Sequence, residues 1–124
     1  MGNETGDPFD FAHGQLSYLQ LPAADLAGSA AFYQGVFGWR VEPSHPSFEA
    51  PGFFGQWVED RAPAPDAGPL LWLHVDDIDA TLELVSTHGG EVLDKPTSDG
   101  PARMLATVGD PAGNRIGVVQ HRPG

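Results

Sequence analysis

Apolar and polar positions first alternate by twos from Gln15 to Leu21, the period of a half-buried strand, and Pro22 ends the run. Asp25 then stands where a helix is capped. Behind it Leu26, Ala30, Tyr33, Val36 and Phe37 recur at helical steps, and Gly38 supplies the stop. WRVEP starts a second strand, Pro43, Pro46 and Pro51 punctuate the chain beyond it, and FFGQWVE reads as a strand before the Pro-rich RAPAPDAGP. The same grammar then returns. LLWLHV is a strand, Asp77 a cap, and Ile78, Leu82, Leu84 and Val85 the apolar side of a helix closed by Gly89 and Gly90. Asp25 to Asp77, Gly38 to Gly90 and Val41 to Leu93 are all shifts of 52, which points to an internal repeat. RMLATV and RIGVVQ complete the second unit, joined by the turn formers of GDPAGN.

The expected fold class is therefore α+β: two tandem β-α-β-β-β modules whose mixed sheets each carry a helix on the outer face. Neither sheet is large enough to stand alone, so the two must pack together or against a partner chain. The boundaries read as a flexible N-terminal arm over 1–12 and one domain over 13–121, with module one at 13–62, a linker at 63–68 and module two at 69–121.

Composition narrows the partners. With 124 residues the chain fits one domain, and six Lys and Arg against 17 Asp and Glu give a formal charge of −11. That charge disfavours phosphate backbones and anionic lipid surfaces, so no nucleic acid and no membrane are expected as partners. The absence of cysteine removes disulfides, thiolate metal sites and cysteine nucleophiles, and fits a cytoplasmic location. MGNETGDPFD has neither a basic start nor an apolar run, and no stretch is long enough for a membrane span.

Three motifs in order, LPAADLAGSAAFYQGVFGW, LHVDDIDATLELVSTHGG and GDPAGNRIGVVQ, resemble the vicinal oxygen chelate superfamily of glyoxalases, bleomycin-resistance proteins and extradiol dioxygenases. The resemblance spans about residues 14 to 120. It implies cup-shaped sheets, two modules enclosing a cavity, and commonly a homodimer whose cavities lie between modules of different chains. Metal-dependent members carry a ligand seven residues before each capping Asp, a final carboxylate seven residues after the Asp of the DPxGN turn, and a fourth ligand on the strand before the linker. Carried onto this chain, those positions are Tyr18, Leu70, Gly117 and either Gln56 or Glu59. Leu and Gly offer no donor atom and a neutral Tyr is a poor one, so no metal and no other cofactor are expected.

Strand parity supplies the alternative. If Tyr18 and Leu70 face inward, so do Gln20, Trp72 and His74, and Arg103, Leu105 and Thr107 face in from a later strand. Together with Gln56 they make an aromatic cup with a few polar handles, suited to a small aromatic or hydrophobic ligand. Trp39 is expected to pack the helix end onto its sheet, and Trp57 faces either side. No paired carboxylates, nucleophile elbow or phosphate loop is present. Three functions compete: metal-independent binding in a homodimer, resembling the drug-binding branch of the family; a metal-dependent lyase, isomerase or dioxygenase by fold analogy; and a metal-free enzyme using His74 or Tyr18 as acid or base.

Overall fold

The computed structural model describes residues 11–121. The arm read over 1–12 lies, apart from Phe11 and Ala12, outside the described residues, and Phe11 rests edge-on against Phe54 at a centroid distance of 6.4 Å. The elements run β1 (Tyr18–Pro22), α1 (Leu26–Phe37), β2 (Arg40–Val41), β3 (Ser47–Ala50), β4 (Phe53–Val58), β5 (Leu71–His74), α2 (Ile78–Thr87), β6 (Glu91–Ser98), β7 (Arg103–Gly109) and β8 (Arg115–His121). They form two four-stranded mixed sheets of orders β1-β4-β3-β2 and β5-β8-β7-β6. In each, the first strand of the half pairs parallel with the last and the rest is antiparallel. The Pro-rich stretch of the first half thus still holds a strand, β3.

The helices begin where the capping aspartates stand, but the two caps differ. Asp77 accepts the Ala80 N–H at 3.1 Å, whereas Asp25 makes no side-chain cap bond. α1 ends at Gly38, whose φ of 73° is open to glycine without steric cost; its N–H reaches the Gln34 carbonyl while the Trp39 N–H reaches that of Tyr33. α2 is capped one residue before its expected glycines, at His88. On α2, Ile78, Thr81 and Val85 are buried while Leu84 stays partly exposed, so Thr81 takes a core position that the apolar pattern gave to Leu84. The Thr81 hydroxyl meets its burial by donating to the Asp77 carbonyl at 2.8 Å.

Both halves feed one main core. Phe32, Tyr33, Val36 and Trp39 of the first half pack with Val85, Val108 and Ile116 of the second. A smaller cluster around Val75, Ile78, Ala106 and Val118 shares Phe37 and Leu82 with it. Trp39 stacks between Tyr33 at 4.7 Å and Phe48 at 4.8 Å, as the sequence pattern at the helix end implies. Trp57, left open by parity, turns to the helix side and is 4% exposed. Gly35 in the middle of α1 costs about 1 kcal/mol of helix propensity relative to Ala. It is required because the His88 ring lies where its Cβ would be, which lets the two helices close on each other.

The motifs that stand 77 residues apart in sequence meet in this core. The Tyr33 hydroxyl donates to Asp110 Oδ2 at 2.7 Å. The same carboxylate accepts Asn114 Nδ2 at 2.8 Å and the backbone N–H groups of Ala112 and Asn114. Asn114 Nδ2 also donates to the Pro22 carbonyl, tying the second half's turn to the end of β1.

Burial first, and then the adjacent Asp110 carboxylate, push the Tyr33 phenol well above the usual tyrosine range. The folded phenol therefore stays protonated where the unfolded one ionises. Stability from this group is complete below about pH 10 and is lost as pH climbs past it. Tyr33→Phe is predicted to destabilise the protein by about 1–3 kcal/mol at neutral pH by leaving Asp110 short of a donor. It is also predicted to flatten the alkaline decline. Urea unfolding of both proteins across the alkaline range checks this; parallel curves would refute it. Gly35→Ala is predicted to destabilise despite its better helix propensity, with the loss largely relieved in the Gly35→Ala, His88→Ala double variant, read from a double-mutant cycle of melting temperatures.

Candidate functional site

Each sheet buries one face under the helices and leaves the other open, and side-chain alternation decides which residues go where. On β1, Leu19 and Leu21 pack into the core while Tyr18 and Gln20 point the other way, Tyr18 being 49% exposed. The register sets Tyr18 beside Phe54 and Gln20 beside Gln56. The Tyr18 hydroxyl donates to Gln56 Oε1 at 2.9 Å. Ser47, Glu49 and Arg40 continue the open surface across β3 and β2, with Arg40 paired to Glu49 at 3.4 Å. All of these open-face residues but Gln20 line a cavity of about 570 Å³.

On the second sheet Leu71 and Leu73 pack against the core, and Trp72 and His74 take the opposite face, with Leu70, 37% exposed, just ahead of the strand. One cross-strand row carries most of the chemistry: Trp72 on β5, Gly117 on β8, Thr107 on β7 and Asp94 on β6. The Trp72 indole lies across Gly117 so closely that a Cβ there would overlap its six-membered ring, yet Trp72 remains 43% exposed. At the other end of the row Thr107 Oγ1 donates to Asp94 Oδ2 at 2.5 Å, and Arg115 Nη1 donates to both, at 3.0 Å to Asp94 and 3.1 Å to Thr107. The Thr107 hydroxyl foremost, and then Arg115, hold the Asp94 carboxyl below its ordinary value.

The nine candidate residues divide between two surfaces. Tyr18, Gln20 and Gln56 are neighbours on the first sheet; Leu70, Trp72, His74, Arg103, Leu105 and Thr107 lie on the second. The cavity on the first sheet is lined by residues between 18 and 56 alone. Arg103 is not a free handle, because its guanidinium is held by Asp99. His74 sits at the end of β5, with Nδ1 at 3.2 Å from Nδ1 of His121 and Nε2 at 3.3 Å from Asp76 Oδ1. It also borders a groove of about 310 Å³ with Val36, Phe37 and Leu84. Arg115 and His121 are the residues that sequence reasoning missed. The signal was there: both share the parity of Gly117 on RIGVVQH.

The register settles the fourth metal-ligand position. Gln56 stands beside Gln20 on the open face, whereas Glu59 lies beyond the end of β4. The complete set is then a phenol already bonded to an amide, that amide, an isobutyl group at Leu70 and a glycine under an indole. A tightly held catalytic ion at the family's position needs three or four converging nitrogen, oxygen or sulfur donors, and this set does not fit one. Among the described residues no group of three or more His, Asp or Glu could hold a metal ion either. Nor is any helix among them long and apolar enough to cross a membrane.

Comparison with known proteins gives a consistent picture. The family model of the Glyoxalase/Bleomycin resistance protein/Dioxygenase superfamily matches residues 15–118. A glyoxylase-like domain-containing protein of Didymella fabae is 35% identical over 101 residues, covering 72% of this chain and 79% of that protein. The anthracycline biosynthesis protein DnrV of Streptomyces peucetius is 30% identical over 130 residues, covering 87% of this chain; the chain spans 47%, about half, of its length. Among solved structures, TnmS3, an antibiotic binding protein from Streptomyces sp. CB03234, superposes with a TM-score of 0.64 at 24% identity, covering 87% of this chain and 96% of that one. At that identity the likeness establishes the fold.

Because Thr107 leads the causes that lower the Asp94 pKa, Thr107→Val is predicted to move Asp94 up toward an ordinary aspartate. The contribution of Asp94 to stability is present above the unfolded pKa of about 4 and is lost as pH falls through the folded value. The variant should therefore lose some of its acid dependence. Carboxyl NMR titration reads the shift directly, and an unchanged Asp94 curve would refute the assignment.

Proposed function

Since the chain belongs to the Glyoxalase/Bleomycin resistance protein/Dioxygenase superfamily, we propose that it binds a small aromatic or hydrophobic molecule without a metal, in a cup completed by a second copy of the chain. The observation that carries this reading is the Trp72 indole on Gly117. It occupies the space a carboxylate side chain would need at the position where metal-dependent relatives hold their last ligand, and presents a half-open aromatic face instead. A planar ligand stacked there has Leu105 on the same sheet face, the exposed Leu70 just ahead of β5, and the Arg115–Asp94–Thr107 corner at the far side as polar partners. Tyr18, Gln20 and Gln56 offer an aromatic edge and amides of the kind that fix orientation.

The magnitude is adequate. Burying about 300 Å² of apolar ligand surface gains roughly 7 kcal/mol at 25 cal/mol per Å². Association entropy removes several of those, leaving micromolar binding within reach. The names of DnrV and TnmS3, an anthracycline biosynthesis protein and an antibiotic binding protein, support a polycyclic aromatic compound as the ligand class.

A second copy is part of the proposal because Tyr18, Leu70 and Trp72 are all more than a third exposed in the single chain, on two surfaces that do not close over a common cavity. Module boundaries at 13–62 and 69–121 and a cytoplasmic location complete the reading, the latter on the cysteine-free composition.

Titrating an anthracycline into the protein while following tryptophan fluorescence is expected to give saturable quenching at micromolar concentration. Trp72→Ala should weaken it about tenfold or more, the scale of losing one aromatic stacking surface. Sedimentation should give the mass of a dimer. Absence of any thermal shift or quenching across a panel of planar aromatic antibiotics and metabolites would sink the reading.

A further inference from the structure

We propose that His74 and His121 form a seat for one borderline divalent cation, of the zinc, nickel or copper(II) type, at the shared carboxyl-terminal edge of the parallel strands β5 and β8. The site is separate from the family's metal position at residues 18, 56, 70 and 117, and it does not depend on the ligand-binding reading above.

Hydrogen inventory comes first. A neutral imidazole has one N–H and one lone pair, and the neighbour of each nitrogen selects which is which. Nε2 of His74 lies 3.3 Å from Asp76 Oδ1, and a carboxylate can only accept, so the proton of His74 belongs on Nε2. That leaves a lone pair on Nδ1, and this atom faces Nδ1 of His121 at 3.2 Å. With both rings in the same neutral state two lone pairs would oppose each other. Either His121 carries its proton on Nδ1 and donates it to His74, or a metal ion takes both lone pairs.

The distances suit a metal. Two Zn–N bonds of about 2.0–2.1 Å at a tetrahedral angle place their nitrogens about 3.3–3.4 Å apart. The rings, tilted by 28° with centroids 5.3 Å apart, leave the two nitrogens nearer each other than the ring centres are, so the ring edges bearing Nδ1 converge. Asp76 then has the part of the outer carboxylate that fixes the tautomer of a metal-bound histidine and raises its basicity.

Access and charge are favourable as well. The His74 side chain is 52% exposed, so an ion can enter and keep water on its remaining positions. Among the described residues, Arg103 is the β7 register partner of His121, and its guanidinium is neutralised by Asp99. A chain of formal charge −11 raises the local concentration of cations. With only two protein donors the affinity should be moderate, in the micromolar range.

The test is calorimetric titration of the untagged full chain with zinc chloride, and then copper(II) chloride, in metal-free buffer, with imidazole NMR signals followed in parallel. One equivalent should bind per chain and shift the ring signals of His74 and His121 together. His74→Ala and His121→Ala should each weaken binding at least about tenfold, His121→Gln should do the same with less disturbance of the strand, and Asp76→Asn should weaken it about tenfold. His45→Ala, in the first half, should leave it unchanged. No saturable binding up to about 1 mM zinc, or binding that survives loss of both histidines, would overturn the proposal and leave a shared proton as the whole of the interaction.

Discussion

One buried carboxylate fixes how the halves of this molecule meet. Asp110, 5% exposed, takes four donors: a phenol from α1, the Asn114 amide, and two backbone N–H groups of its own turn. A charge so placed is tolerable only with its lone pairs filled, and here the filling groups come from both halves. The turn between β7 and β8 is thereby locked against α1, and Asn114 reaches on to the Pro22 carbonyl at the end of β1. Because β8 leaves that turn with its register set, the orientation of Arg115, Gly117, Val119 and His121 on the open face follows from a bond made on the opposite side of the sheet.

That locking separates two kinds of surface. The helix-facing sides are filled by large aromatic and branched side chains, with glycines admitted where rings or helices must approach: Gly35 under His88, Gly90 against Phe32. The open faces are lined with residues that a water-exposed sheet would not select for stability, among them Tyr18, Leu70 and Trp72. Partly exposed aromatics on a firmly registered sheet suit binding, since rings with two rotatable bonds lose little entropy when a flat partner covers them.

How far the sequence carries can be judged from particular residues. Alternation on LSYLQL and LLWLHV predicts which side chains leave the core, because period-two geometry leaves no freedom once one face is buried. The helix starts follow from Asp25 and Asp77 and the end of α1 from Gly38, whereas α2 ends at His88 ahead of its glycines. Leu84 and Thr81 mislead, since helical spacing cannot say which of two nearby residues an inward-leaning neighbour will cover. The site is harder. Parity groups Tyr18 with Trp72 in one cup, and only tertiary packing shows that the cavity beside Tyr18 is lined by the first half alone. The partnership of His74 with His121 is likewise invisible until β5 and β8 are known to run parallel side by side.

The indole on Gly117 ties the choice of residue at one position to the choice at another. Restoring a carboxylate at that position would force the Trp72 ring off the sheet, while removing Trp72 first would strip the second half of its large exposed aromatic. The identities of residues 72 and 117 are thus coupled: in this packing an indole at one position and any side chain at the other exclude each other.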